Sequence, residues 1–188
     1  MALDKHKAIN ALIDFYRLLN DKGFLIYGTC LGANREGDFI SHDLDIDIGM
    51  MRNDFNLDMI DRLVRNGFNL IRVFGMLEFG FEMSFKREGV KIDLMLFYPS
   101  DSGAWNSLWD NGGKNGLSDA IIHHYNWTEL DIEELELGGV PFQGFGEKYL
   151  RAVYGENWRT PVEKWDWRTD HQCFDYNLKI KLLEKYGK

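Results

Sequence analysis

The tightest constraint in the sequence lies in residues 27–50, YGTCLGANREGDFISHDLDIDIGM, where Asp43, Asp45 and Asp47 alternate with Leu44, Ile46 and Ile48. Alternation predicts a β-strand, because successive side chains on a strand point to opposite faces. The three carboxylates then share one face, and Leu44, Ile46 and Ile48 share the other and can be buried. Carboxylates gathered this way repel: two unit charges ~4 Å apart cost about 4 kcal/mol at an effective dielectric of ~20. Such a strand calls for a counter-cation, and hard oxygen donors select Mg²⁺, Mn²⁺ or Ca²⁺. The expectation is a metal site. A solvated strand edge is the plainer alternative, and the Gly-rich loop ahead of the acids speaks against it.

Around this stretch the periodicities alternate between helix and strand. Residues 4–21 predict an amphipathic helix with Ile9, Leu12, Ile13, Tyr16 and Leu19 on one stripe, stopped by Lys22-Gly23. Residues 24–27 predict a short strand ending in a Gly28-Thr29 turn, followed by a short helix over 31–36. Amides at that helix start would face the turn, a favourable place for phosphate. A helix over 56–65 would turn Leu57, Ile60, Leu63 and Val64 inward and stop at Asn66-Gly67.

Strands are expected over 68–74, 79–87 and 90–98, with a hairpin turn at Glu88-Gly89. Residues 99–116, rich in Gly, Asn, Asp and Ser around Trp105 and Trp109, read as a loop. Further strands are expected at 121–127, 132–137 and 140–142, the last two joined by Gly138-Gly139. A helix over 147–154 would bury Tyr149, Leu150 and Val153, and 156–170 is irregular. A closing helix over 171–186 would use Phe174, Leu178 and Leu182. Strands mixed with helices and an early hairpin indicate an α+β fold. At 188 residues, 1–188 is most simply one domain.

Asp93 stands alone among apolar residues in VKIDLMLF. A buried carboxylate is costly unless neutralised, paired or metal-bound, so Asp93 is either a structural acid bonded to a turn or an Arg, or a partner of the Asp strand. The second alternative makes a pattern: a Gly-small turn, alternating acids on one strand and a later single Asp on its neighbour. That pattern resembles the nucleotidyltransferase fold, a mixed β-sheet flanked by helices.

The resemblance is closest to the LicD family, which includes the fukutin and fukutin-related proteins. Their signature runs roughly G-T-x-L-G-x-x-R-x-x-x-F-I-x-W-D-x-D-I-D-I-G. Gly28, Thr29, Leu31, Gly32, Arg35, Phe39, Ile40, Asp43, Asp45, Asp47 and Gly49 all match it. His42 stands where the family has Trp. A second, less specific echo is YGENWRTP at 154–161, similar to Y-G-x-x-W-x-x-P.

The resemblance implies metal-dependent phosphotransfer from a CDP-alcohol donor, such as a phosphocholine or ribitol phosphate donor, to a glycan or other hydroxyl acceptor, with CMP released. It implies that Asp43, Asp45 and Asp47 hold Mg²⁺ (or Mn²⁺) across the donor pyrophosphate. Asp93 would complete the metal shell or act as the base. Gly28, Thr29 and Gly32 would let backbone approach the nucleotide, and Arg35 would grip phosphate with its bidentate fork. Two alternatives share the acids: a true nucleotidyltransferase attaching NMP to a small molecule or protein, and a catalytically silent nucleotide-binding member.

The remaining features bound the function. A net charge of -8 argues against a general nucleic-acid binder, which neutralises phosphates with a basic surface. No apolar run approaches ~18 residues, so no membrane span is expected, and a cytoplasmic location is the default. Cys30 and Cys173 form neither a disulfide framework nor a zinc pattern. His42, His123, His124 and His171 lack zinc-like spacing and favour structural or surface roles. The six tryptophans could cage a choline-like cation, but packing roles are favoured.

Overall fold

The computed structural model describes residues 3–187. The outermost positions of the expected 1–188 domain, 1–2 and 188, therefore lie outside the described residues. Helix α1 (Lys5–Leu18) starts where Asp4 accepts a hydrogen bond from the Lys7 amide, and it buries Ala8, Ala11, Leu12, Phe15 and Tyr16. It leads into β1 (Gly23–Leu25), α2 (Tyr27–Glu36) and β2 (Ile46–Met51). Next come α3 (Asp58–Arg65), β3 (Asn69–Met76), β4 (Phe79–Arg87) and β5 (Val90–Pro99). The second half holds β6 (Gly103–Trp109), β7 (Ala120–Asn126), β8 (Ile132–Leu137), β9 (Val140–Phe145), α4 (Glu147–Tyr154) and α5 (Tyr176–Tyr186).

The strands pair in the order β3-β4-β5-β2-β1-β9-β8, with β6 adding to β5 and β7 to β6. Two pairings, β2 with β5 and β1 with β9, are parallel, and the others are antiparallel. The fold is α+β around a mixed sheet, as expected. Glu88 and Gly89 make the β4–β5 turn with positive φ at both positions, the geometry of a tight hairpin. Phe24, Phe97, Phe145, Tyr125 and Tyr149 pack ring against ring through the middle of the core, mostly tilted or edge-on. Among the described residues no helix is long and apolar enough to cross a membrane.

Five local expectations are corrected. Strand β2 begins only at Ile46, because pairing to β5 starts at Ile46↔Ile92 and a turn bonds the Asp43 amide to Ile40 O. Asp43 and Asp45 precede the strand, and Leu44 is 63% exposed rather than buried. Helix α2 starts at Tyr27, since the Cys30 amide already bonds Ile26 O, so Gly28 and Thr29 sit in its first turn and not in a turn ahead of it. In α3 Met59 and Leu63 are buried and Ile60 packs against the core, while Val64 and the cap residue Leu57 are exposed. Phe174 is exposed ahead of α5, whose cap is Asp175.

The largest correction is at 103–109, read as loop and found as the fully buried β6. Its small polar residues are paired inside. Asn106 donates to the Tyr27 hydroxyl at 2.8 Å, and Ser107 and Trp109 donate to Gly80 O at 3.1 and 2.9 Å. Buried polar groups with partners do not oppose strand formation.

Candidate functional site

The parallel pairing of β2 with β5 puts Asp47 directly beside Asp93. Both carboxylates open on a cavity of about 1020 Å³, which Asp45 also lines. Asp45 is drawn in by Lys91, whose ammonium donates to Asp45 Oδ2 at 2.8 Å and to Asp93 Oδ2 at 2.7 Å. Lys91 and Asp93 share a face of β5 because they are two residues apart. On β4, Glu82 joins the group. Arg72 from β3 reaches over both acids, 3.4 Å from Glu82 and 3.6 Å from Asp93.

Thr29 serves this site from behind: its hydroxyl accepts the Asp47 amide at 2.9 Å and so seats the start of β2. Gly28 does so by lacking a side chain. A Cβ there would stand 3.3 Å from Asp43 Oδ2 and 3.7 Å from Asp47 Oδ2. Gly32 instead lies against the chain, where a Cβ would meet Asp38 O at 2.5 Å. It lets α2 pack on the 38–40 backbone. Asp43 and Arg35 face a second, smaller pocket, and Arg35 pairs with Glu36 at 2.6 Å.

The electrostatics are those of crowded negative charge. Burial, reinforced by Asp45, Asp93 and Asp43, pushes the Asp47 carboxyl well above the usual carboxylate range. Burial and the neighbouring Asp93 raise Glu82 to about 8, and burial raises Asp43 to about 6. Burial works against the Lys91 ammonium, but Asp93 and Asp45 outweigh it and hold its pKa above the ordinary lysine value. Asp93 Oδ1 is buried with no hydrogen-bond partner. Among the described residues no three His, Cys, Asp or Glu side chains are already arranged to hold a metal ion.

Behind the acids lies a buried polar cluster that the sequence did not reveal. The Tyr27 hydroxyl bonds Asn106, and it lies 2.7 Å from His123 Nδ1. The Tyr27 ring stacks on His171 at 5.3 Å. Burial pushes His171 down to about 4 and His123 well below its ordinary value, so both imidazoles are neutral. His171 lines the large cavity with Trp165, Trp167 and Arg168.

Lys91, Arg72, Glu82 and His171 were therefore missed as site residues. Lys91-Ile92-Asp93 carried a signal, since the alternation that buries Ile92 puts both charges on one face. His171 carried a faint one, since it follows Trp167-Arg168 and could line a site, although a structural role is favoured. Arg72 and Glu82 carried none, because only the strand order brings them in.

Residues 20–128 match the nucleotidyltransferase domain of the LicD/FKTN/FKRP family. The match includes every acid described above. The chain is 30% identical over 152 residues to a Homo sapiens protein named ribitol-5-phosphate transferase FKTN, covering 77% of this chain and 31% of that one. The Mus musculus protein of the same name is 30% identical over 164 residues, covering 81% and 33%. An uncharacterized Caenorhabditis elegans protein is 33% identical over 136 residues, covering 70% and 28%. The chain thus spans about a third of the length of these relatives.

Proposed function

The chain belongs to the LicD/FKTN/FKRP nucleotidyltransferase-domain family, and from that premise we propose that it transfers a phospho-alcohol group from a CDP-activated donor to a hydroxyl acceptor, a glycan or another alcohol, releasing CMP. Ribitol phosphate is the favoured group, because the relatives are named for it. The observation that carries the proposal is the in-register Asp47–Asp93 pair, with Asp45 held beside it, opening on one large cavity.

The residue types suit a hard divalent cation, which would have to draw the carboxylates together in place of Lys91. Their donors are all carboxylate oxygens, and the partnerless Asp93 Oδ1 is the kind of buried atom that a cation satisfies. Asp45, Asp47 and Asp93, with Asp43 beside them, would hold Mg²⁺ or Mn²⁺. The metal would neutralise charge on the donor's phosphate oxygens during in-line displacement.

The chain's own side chains supply the rest. Arg72 and Lys91 offer further positive charge to phosphate, and Arg35 offers a fork at the neighbouring pocket. The acceptor oxygen attacks the phosphorus that carries the alcohol. A new P–O bond forms, the bond to the CMP oxygen breaks, and the hydroxyl proton passes to Asp93 or a neighbouring carboxylate. The polar, roomy cavity suits a polyol and its acceptor.

Incubation with CDP-ribitol, Mg²⁺ and a glycan acceptor should release CMP, read by chromatography. Product mass distinguishes this from transfer of the nucleotidyl half. If the folded protein binds no cytidine nucleotide by calorimetry, the proposal fails.

A further inference from the structure

The segment at 154–161, YGENWRTP, folds against α2 and closes the second pocket, of about 190 Å³. Its walls are mostly apolar, with Leu31, Ile40, Trp158, Pro161 and Val162. Arg35, His42, Asp43, Asn157 and Thr160 supply the polar part. Gly28, Tyr154 and Trp165 line both this pocket and the large cavity, so the two adjoin there. Asp43 belongs to the small pocket and Asp47 to the large one, and both carboxylates lie against Gly28. The acids therefore stand at the seam between an apolar chamber and a polar one.

One side chain of the small pocket's wall carries a buried polar atom without a partner. Trp158 is 4% exposed, and its indole N–H is buried without an acceptor. Native structures rarely leave such a donor unpaired unless a ligand or water completes it. The chamber is small and mostly apolar, suited to a ring rather than a sugar or a phosphate chain. A quaternary ammonium is disfavoured, because the Arg159 guanidinium already covers the Trp158 ring at 4.1 Å and Arg35 and His42 line the pocket.

We infer that this pocket receives the nucleobase of the donor, a flat uncharged ring, and that a small shift of the Trp158 indole brings its N–H to a ring carbonyl. The phosphates then cross the acid seam at Gly28, and the alcohol and acceptor occupy the large cavity. The inference rests on the nucleotide-donor function proposed above and adds to it which end of the donor goes where.

The test is calorimetric titration of the full chain with CMP, ribitol 5-phosphate and phosphocholine, each with Mg²⁺. Val162→Trp fills the pocket from its exposed lip, and Trp158→Phe removes the N–H while keeping an aromatic ring. Thermal unfolding checks that both variants fold, and Val162→Trp stands alone if the buried Trp158→Phe does not.

Val162→Trp should weaken CMP by about tenfold or more while changing ribitol 5-phosphate less than about twofold. Trp158→Phe should weaken CMP by roughly three- to tenfold, the value of one hydrogen bond. Unchanged CMP affinity in folded variants overturns the inference and leaves the donor function standing. So does a loss confined to phosphocholine, which would mark an aromatic cation cage. Wild-type protein that binds no cytidine nucleotide overturns both.

Discussion

The two chambers that meet at Gly28 are built by opposite means. The large one collects Asp45, Asp47, Asp93, Glu82, Lys91 and Arg72 from β2 to β5 and the segment ahead of β2, residues fixed by strand pairing. The small one is a mostly apolar space between helix α2 and an irregular segment, with Asp43 and Arg35 at its edge. Strand pairing holds like charges at fixed spacing against their repulsion, whereas the apolar chamber needs only shape. The first is suited to stabilising charge in a reaction, and the second to holding a ligand still.

Substitutions in the two chambers should therefore separate by kind. Asp93→Asn should have the largest effect, lowering the rate of CMP release by about two to three orders of magnitude while CMP binding falls far less, because charge stabilisation at the reacting phosphate is worth several kcal/mol. Equal losses in rate and binding would merge the two chambers into one.

His171 tests the rigidity of the large chamber's back wall. Its folded pKa of about 4 lies below the ordinary 6.5, so the unfolded chain takes up the proton first. Its stabilising contribution is therefore full above pH 6.5 and is lost as pH falls from 6.5 to 4, by on the order of 3 kcal/mol. The stability difference between wild type and His171→Gln, followed by denaturant unfolding, should shrink over that window. An imidazole proton titrating near 6.5 by NMR would show instead that the wall opens to water.

Lys91→Met should cost about 1–2 kcal/mol of stability, since it leaves Asp45 and Asp93 without their shared cation at a partly exposed site. Added Mg²⁺ should raise the melting temperature of Lys91→Met more than that of wild type. No difference in the Mg²⁺ response would separate the lysine from the cation site. The smallest effect belongs to the other chamber: Arg35→Ala should raise KM for the donor a few-fold with kcat nearly unchanged. A matching fall in kcat would place Arg35 in the reaction itself.

Part of this was legible in residue order. The D-h-D run and the lone Asp93 announced clustered carboxylates, and the Glu88-Gly89 turn announced the β4–β5 hairpin that presents Asp93. The glycines and Thr29 were legible as special positions but not in their roles. Gly32 makes room for backbone, Gly28 for two carboxylates, and Thr29 for the Asp47 amide. Strand β6 escaped detection because Asn106 and Ser107 look like loop residues until their partners, Tyr27 and Gly80, are brought in from elsewhere.

By itself, the sequence determined that acids would be gathered, that helices and strands would mix, and which family signature they carry. Local periodicity and turn chemistry act within a few residues, so these features are written in the chain order. The tertiary structure alone decided that Asp45 and Asp93 share Lys91, that Arg72 and Glu82 join them, and that Trp158 closes a chamber beside Asp43. Lys91 and Asp93 are neighbours in sequence, but the other contacts join residues from ten to more than a hundred positions apart, and only sheet order and the return of the chain over α2 set their distances.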